Sequence, residues 1–247
     1  MSLLREPEDI LSEFLRAEYK EPARSGLSKR HTNAIETFNG DNNITEFTVS
    51  NTNLLCINEI QLSAVKQTKY GHYDIDLRNN KIKFKTPPPI GVDNVSIDYD
   101  YGSESWIYPD KPRENLNRNK YPRIAIFILN QPSDRLAISD DIRLDNVNFQ
   151  IDILTKMGIK ATNFIEVKSD GTTTTVTETI EGERIVRILS RGIVNTIQRK
   201  IRNEIKKVLW DQRILGNTPV PFDEPNGIFR RTVEAGLKSF NIGEEQV

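Results

Sequence analysis

Residues 95–101 read Val-Ser-Ile-Asp-Tyr-Asp-Tyr, and residues 81–85 read Lys-Ile-Lys-Phe-Lys. Every second side chain in both stretches is apolar or aromatic, as in a strand with one buried and one solvated face. The same alternation occurs at 46–49 and 72–77, and Arg78-Asn79-Asn80 supplies asparagines, which tolerate the positive φ of a tight hairpin. The sequence therefore predicts a small antiparallel all-β module over residues 38–102.

The periodicity on both sides of this module is partly helical. Residues 8–19 carry Ile10, Leu11, Phe14 and Leu15 at helical spacing, whereas residues 21–37 are polar and rich in turn formers, which predicts a linker or an extended arm. A second amphipathic stripe predicts a long helix over about 183–210, with Gly216 as a stop just beyond it.

Strand patterns surround the second helix. They lie at 124–129, at 147–153, around a turn at 169–171 that joins two Thr- and Val-rich arms, and at 229–237. We therefore predict an α+β fold in which an antiparallel sheet packs against a long helix. Residues 1–37 and 103–247 would form this domain, and the β module 38–102 would be inserted into it, because loop sites tolerate insertions at small entropic cost.

Composition narrows the class of protein. The 247 residues include 34 Lys+Arg, 35 Asp+Glu, one Cys and two His, and no run approaches the roughly 18 apolar residues of a membrane span. The first residues turn acidic too soon for a signal peptide, so no membrane association is expected. Cys56, His31 and His72 cannot form a disulfide framework or a standard structural zinc site. A role in assembly is favoured over one in catalysis.

The usual catalytic motifs are absent from the sequence. It contains no phosphate-binding loop, no Gly-x-Gly-x-x-Gly and no Gly-x-Ser-x-Gly, and neither histidine has a neighbouring acid and nucleophile. We therefore expect a non-enzymatic protein with no catalytic residues, metal ligands or cofactor.

One constellation leaves an enzymatic alternative open. Asp152 ends an alternating strand, and Glu166-Val167-Lys168 follows it, as in metal-dependent nucleases that hold a divalent ion with two carboxylates and place a lysine beside it. The simpler interpretation is that these are polar positions on the outer faces of amphipathic strands.

The second predicted helix carries a candidate basic face. Between residues 184 and 207 there are eight basic side chains and one acid, Glu204, giving a net charge of +7 in a chain of net charge −1. Such a face could bind an acidic partner or passing DNA, or it could simply be solvated. The basic residues are Arg184, Arg187, Arg191, Arg199, Lys200, Arg202, Lys206 and Lys207.

Several of these segments resemble virion proteins. Phe38-Asn39-Gly40-Asp41, Tyr73-Asp74-Ile75-Asp76, Lys81-Ile82-Lys83-Phe84 and the strand 95–102 resemble a small β domain of tailed bacteriophages and archaeal viruses. Helix 9–15, Trp106-Ile107-Tyr108-Pro109, Tyr121-Pro122-Arg123-Ile124 and the strand 146–153 resemble tail-completion, or tail-terminator, and related neck proteins of those viruses.

The resemblance implies a structural role. Such proteins form a ring, usually hexameric, that caps the tail tube and joins it to the head, so the expected partners are other copies, the tail tube and the connector. Double-stranded DNA would pass through the lumen without sequence-specific binding, and the protein would be assembled in the host cytoplasm into the virion. From the residues themselves we also expect segment 1–37 to reach an adjacent subunit, because its helix is amphipathic yet separated from the main domain by a polar linker. The non-enzymatic alternative is a binding module whose β domain serves in adhesion or carbohydrate binding.

Overall fold

The computed structural model describes residues 7–109, 116–131, 133–135, 142–168, 170, 172–199, 201 and 210–242. Within these ranges the chain is mostly β, with two α-helices and several sheets. They divide into two compact units. The first unit comprises residues 13–21 and 29–105, and the second comprises 7–12, 22–28 and the described residues from 106 onward.

The elements have the following bounds in chain order. The N-terminal part holds α1 (Pro7–Glu18), β1 (Ala23–Arg24), β2 (Thr32–Gly40), β3 (Glu46–Thr48), β4 (Leu54–Leu62), β5 (Val65–Lys66), β6 (Tyr73–Asp76), β7 (Lys81–Phe84) and β8 (Gly91–Tyr101). The C-terminal part holds β9 (Ile107–Pro109), a short 3-10 helix (Arg118–Lys120), β10 (Arg123–Asn130), β11 (Ser133–Arg135), β12 (Ile142–Lys156), β13 (Lys160–Thr162), β14 (Phe164–Val167), β15 (Thr173–Val176), β16 (Ile180–Glu181), α2 (Glu183–Arg199), β17 (Trp210–Asp223) and β18 (Ile228–Ile242).

The first unit is built from two antiparallel sheets with a shared apolar core. Their strand orders are β2-β8-β4-β5 and β3-β7-β6. The core collects the inward half of each alternating pattern, which confirms the predicted strands, and its members are Phe47, Val49, Leu54, Ile57, Ile60, Tyr73, Ile75, Ile82, Phe84, Val95, Ile97 and Tyr99. Asn80 adopts a φ of 55° between β6 and β7, as the predicted hairpin requires.

The second unit centres on a sheet of order β17-β18-β12-β10-β9, with β11 beside β12. Strands β12 and β18 pair in antiparallel register from Ile142↔Ile242 to Lys156↔Ile228, while β9 pairs with β10 in parallel. Helix α2 packs on β12 and β18 through buried side chains that include Ile185, Leu189 and Ile193. Burying this stripe is what stabilises the helix, because a short helix is marginal in water by itself.

Several local predictions are confirmed. The N-terminal pattern forms α1, the Thr- and Val-rich arms form the antiparallel pair β14–β15, and residues 229–237 lie within β18. These elements were predictable because side-chain alternation and helical spacing are properties of contiguous residues.

The predicted long helix is described only over its first part. Helix α2 is described from Glu183 to Arg199, Ile201 is also helical, residues 200 and 202–209 lie outside the described residues, and Trp210 already begins β17. Gly216, proposed as a helix stop, lies inside β17 opposite Glu234. Pairing with β18 makes the segment around Gly216 a strand, where the sequence alone suggested only a helix stop.

The predicted linker also contains structure. Residues 32–37 form the first part of β2 and pair with β8, from Thr32↔Tyr101 to Thr37↔Ser96. Helix α1 is buried in its own chain, with Leu11, Phe14 and Leu15 almost wholly inaccessible. The apolar side chains of α1 are therefore covered within its own chain, and the expectation that segment 1–37 reaches an adjacent subunit stays a prediction.

Candidate functional site

Helix α2 begins where the chain can turn sharply into it. Gly182 has a φ of 55°, a left-handed conformation that glycine adopts without a steric penalty, and Glu183 places an acid at the positive end of the helix dipole. Ile185, Leu189, Ile193 and Ile197 then face the sheet. The opposite side of the helix is therefore fixed towards solvent.

The described part of the candidate basic face lies on this solvent side. Arg184, Arg187, Arg191 and Arg199 are all exposed. Their helical spacing places them within one broad stripe, as the sequence predicted. The other candidates, Lys200, Arg202, Lys206 and Lys207, lie outside the described residues.

Acids from neighbouring segments balance two of the four arginines. Arg184 donates two hydrogen bonds to Glu178, at 2.7 and 2.8 Å, and this contact lowers the pKa of the Glu178 carboxyl below its ordinary value. The guanidinium of Arg191 lies 3.7 Å from the Glu166 carboxylate. Exposed pairs of this kind contribute little to stability, but they reduce the local positive potential.

Arg187 and Arg199 carry the remaining positive charge of the described stripe. Both side chains are exposed, one near the middle of α2 and one at its last residue. Arginine presents several N–H donors in a planar fork that suits carboxylates and phosphates. This part of the face is therefore suited to weak, salt-dependent contacts with an acidic surface.

Asp152, the first residue of the nuclease-like constellation, is occupied by structural partners. It is fully buried, and its Oδ2 accepts a hydrogen bond from Arg230 Nη2 at 2.6 Å. Its Oδ1 accepts one from Thr232 Oγ1, also at 2.6 Å, and Gln150 Nε2 lies 3.0 Å from Oδ2. The carboxylate ties β12 to β18, so the interpretation of Asp152 as an outward-facing polar position is wrong.

Glu166 and Lys168 are not placed on a strand next to Asp152. Strand β14, which holds Glu166, pairs with β15 in a separate two-stranded sheet. Glu166 contacts Arg191, and the backbone N–H of Lys168 donates to Thr172. Among the residues that the structure describes, no three His, Cys, Asp or Glu side chains are grouped so that they could hold a metal ion.

The first unit contains a buried charged network that no pattern in the sequence indicated. Glu13 Oε1 accepts hydrogen bonds from Lys69 Nζ at 2.8 Å and from the backbone N–H of Ile57 at 3.1 Å, while Lys69 also donates to the Ile57 carbonyl at 2.8 Å. The register of β4 against β8 shifts between Ile57 and Glu59. Glu13 thus accepts from the N–H of Ile57, and Lys69 donates to the carbonyl of Ile57. Both contacts lie beside the register shift of β4, where regular pairing with β8 is interrupted.

The same unit buries His31, which the sequence analysis placed in a polar linker. Its Nδ1 lies 4.0 Å from Asp100 Oδ2, and its backbone N–H donates to Glu21 Oε2 at 3.1 Å. Burial lowers the pKa of His31 from 6.5 to about 4, against the opposing influence of Glu21 and Asp100. Cys56 is also buried, and burial raises the pKa of its thiol, so this cysteine is chemically inert.

Comparison with known proteins adds no family. No protein-family model matches the sequence, and no curated protein matches it significantly. Among the described residues, no helix is both long and apolar enough to cross a lipid bilayer.

Proposed function

We propose that this chain is a structural virion protein of the neck or tail of a tailed virus, where it forms a ring that completes the tail tube and joins it to the head. Its function would lie in self-association and docking. The sequence resemblance to tail-completion and neck proteins suggests this role, and the surface of the second unit supports it.

The supporting observation is the edge strand β17. It occupies one end of the sheet order, where it pairs with β18, and Leu215 and Phe222 on it expose 55% and 39% of their surface. An edge strand presents backbone N–H and C=O groups that a neighbouring chain can cover. Prolines at 219 and 221 prevent continuous pairing in the second half of the strand, so contact there would be made through side chains.

The exposed arginines of α2 suit the same role. A ring that DNA passes through needs weak phosphate contacts and no base recognition, because a tight or specific contact would oppose movement. Arg187 and Arg199 could make such contacts if α2 faced the lumen, or could contact an acidic neighbour in the neck.

The adhesion alternative requires exposed aromatic rings on the β module. Tyr73 and Tyr99 are buried in the core of the first unit, and Tyr101 packs partly buried against that core. The described aromatic side chains of this module therefore do not favour the adhesion alternative over assembly.

Particle shape and mass test the proposal. We expect light scattering after size exclusion to give a multiple of the 28.3 kDa chain, and negative-stain images to show rings with a central hole. A protein that stays a dispersed monomer at high micromolar concentration would contradict the proposal.

A further inference from the structure

The first unit contains a long edge strand, β2, which pairs with β8 alone in the sheet order β2-β8-β4-β5. From Thr32↔Tyr101 to Phe38↔Val95 the register is regular, and a shift follows between Phe38 and Gly40. Along the described chain, the backbone groups of residues 32–38 make no hydrogen bond outside the ladder with β8. In an antiparallel pair, alternate residues direct their N–H and C=O groups away from the partner strand, so β2 presents a row of these groups at the sheet edge.

This edge lacks the features that usually protect edge strands. Folded proteins protect them with short length, prolines, lysines or bulges. The described edge strands β5, β6 and β9 have only two, four and three residues, and the long edge strand β17 carries two prolines and three register shifts. Residues 32–38 contain no proline and no basic side chain. The backbone groups of β2 are therefore available to another β-strand.

The side chains of β2 suit a second copy of the same strand. Ile35 lies at the midpoint of residues 32–38 and exposes 63% of its surface, which favours burial against another apolar side chain. Glu36 is the only charged residue of the stretch. Its carboxylate accepts hydrogen bonds from the Ser50 N–H and Ser50 Oγ, both at 3.0 Å, and from the Tyr99 hydroxyl, so it is held by its own domain.

One antiparallel register uses the whole regular stretch. When two identical strands pair about a twofold axis, the residue at the axis lies opposite itself. Centring on Glu36 would place two carboxylates directly opposite each other, which is destabilising. Centring on Ala34 would leave Ile35 opposite an asparagine. Centring on Ile35 pairs all seven residues, with Ile35 opposite Ile35, Ala34 opposite Glu36, Asn33 opposite Thr37, and Thr32 opposite Phe38.

We propose that β2 is a dimerisation strand, through which two copies of this chain pair antiparallel over residues 32–38 with Ile35 on the twofold axis. Because the same surface is used on both copies, the contact joins two copies and no more. It is separate from the ring contact at β17 and does not depend on it. Seven residue pairs bury less than the roughly 800 Å² per partner of a standard interface, so the dimer should dissociate on dilution.

Light scattering of the full chain tests this contact. We expect the wild type to have a mass that is an even multiple of 28.3 kDa, and Ile35→Lys to have half that mass, because the two lysines would face each other across the axis. The matched control is Ile90→Lys. Ile90 is 75% exposed in the same unit but lies outside β2, so this variant should keep the wild-type mass.

Disulfide crosslinking tests the register. Ile35→Cys should give a covalent dimer on mild oxidation, because Cβ atoms of directly opposed residues lie about 4.5–5.5 Å apart. Thr37→Cys, also exposed on β2, should not crosslink, because its counterpart in the second copy would be displaced by four residues, about 13 Å, along the strand. The native Cys56 is buried and should not interfere. Crosslinking at 37 equal to that at 35 would contradict this register.

The failures of the two proposals are distinguishable. If the wild type assembles and Ile35→Lys keeps the wild-type mass, the β2 contact is wrong and the ring proposal stands. If the wild type is a dimer that Ile35→Lys converts to a monomer, the β2 contact is supported and the ring is contradicted. A wild type that stays monomeric at high micromolar concentration overturns both.

Discussion

The Glu13 carboxylate and the Lys69 ammonium lie 2.8 Å apart inside the first unit, although 56 positions separate them along the chain. Both side chains are almost wholly buried, and both bind the backbone of Ile57. The pair joins the C-terminal half of α1 to β4. A buried ion pair is costly to desolvate, but removing one member costs more, because the other charge then stays buried alone.

Lys69→Met should therefore destabilise the protein strongly. We expect the free energy of unfolding in urea to fall by about 3–5 kcal/mol, the range for breaking a buried ion pair. The matched control is Lys81→Met, which removes an exposed partner of Glu46 at 3.4 Å and should change stability little. Equal effects of the two substitutions would contradict a structural role for the buried pair.

Stability should depend on pH through His31. Its pKa is lowered from 6.5 to about 4 by burial, with Arg16 and Arg30 acting in the same direction and Glu21 and Asp100 opposing it. Between these two values the unfolded chain binds a proton that the folded chain does not, so the free energy of unfolding falls as the pH drops through this window. The full contribution is about 3 kcal/mol.

Thermal unfolding of the wild type and His31→Gln at pH 7 and pH 4.5 would measure this contribution. The variant should lose less stability between the two pH values than the wild type. An identical loss in both proteins would assign the acid sensitivity to other groups.

Asp152→Asn should lower the stability of the second unit. The amide still accepts a hydrogen bond from Thr232, but the Arg230 guanidinium loses its anionic partner, and we expect a loss of about 2–3 kcal/mol. Glu166→Gln, at the exposed contact with Arg191, is the control and should have little effect.

A magnesium-dependent DNA cleavage assay with Asp152→Ala as control tests the nuclease alternative on the same site. We expect no cleavage by the wild type or by the variant. Cleavage by the wild type that Asp152→Ala abolishes would favour the nuclease over a structural role.

Substitutions at different arginines of the basic face on α2 should reduce DNA retention by different amounts. Arg187→Gln and Arg199→Gln should each reduce retention of double-stranded DNA at low salt, because these side chains are exposed and the helix presents them to solvent. In a plot of log affinity against log salt concentration, each lost phosphate contact should reduce the slope by about 1.

Arg184→Gln is the matched comparison for the basic face. Arg184 is already paired with Glu178, so its loss should matter less. If all three substitutions had the same effect, the local ion pairs would not govern the potential of this face.

Local pattern was enough to predict about half of the described strands. The alternation at 81–84 and 95–101 forms β7 and part of β8, and the spacing of Ile10, Leu11, Phe14 and Leu15 forms α1. It also predicted that Arg184, Arg187, Arg191 and Arg199 would share one exposed side of a helix. These features follow from side-chain direction along a short segment.

Local pattern failed where a distant strand decided the outcome. Residues 32–37 became a strand because β8 supplies their pairing, and the segment from Trp210 became a strand because β18 supplies its pairing. The residues of these two segments do not by themselves indicate that β8 and β18 will pair with them.

The sequence by itself thus determined helix α1, the strands with a strong alternating pattern, and the dense positive charge of one helix. Only the tertiary structure decided that Asp152 accepts a hydrogen bond from Arg230, that Glu13 forms a buried ion pair with Lys69, and that Phe222 and Phe229 line a groove. The physical reason is that periodicity is set by neighbours along the chain, whereas burial, ion pairing and docking surfaces depend on strand register and chain closure across tens of residues.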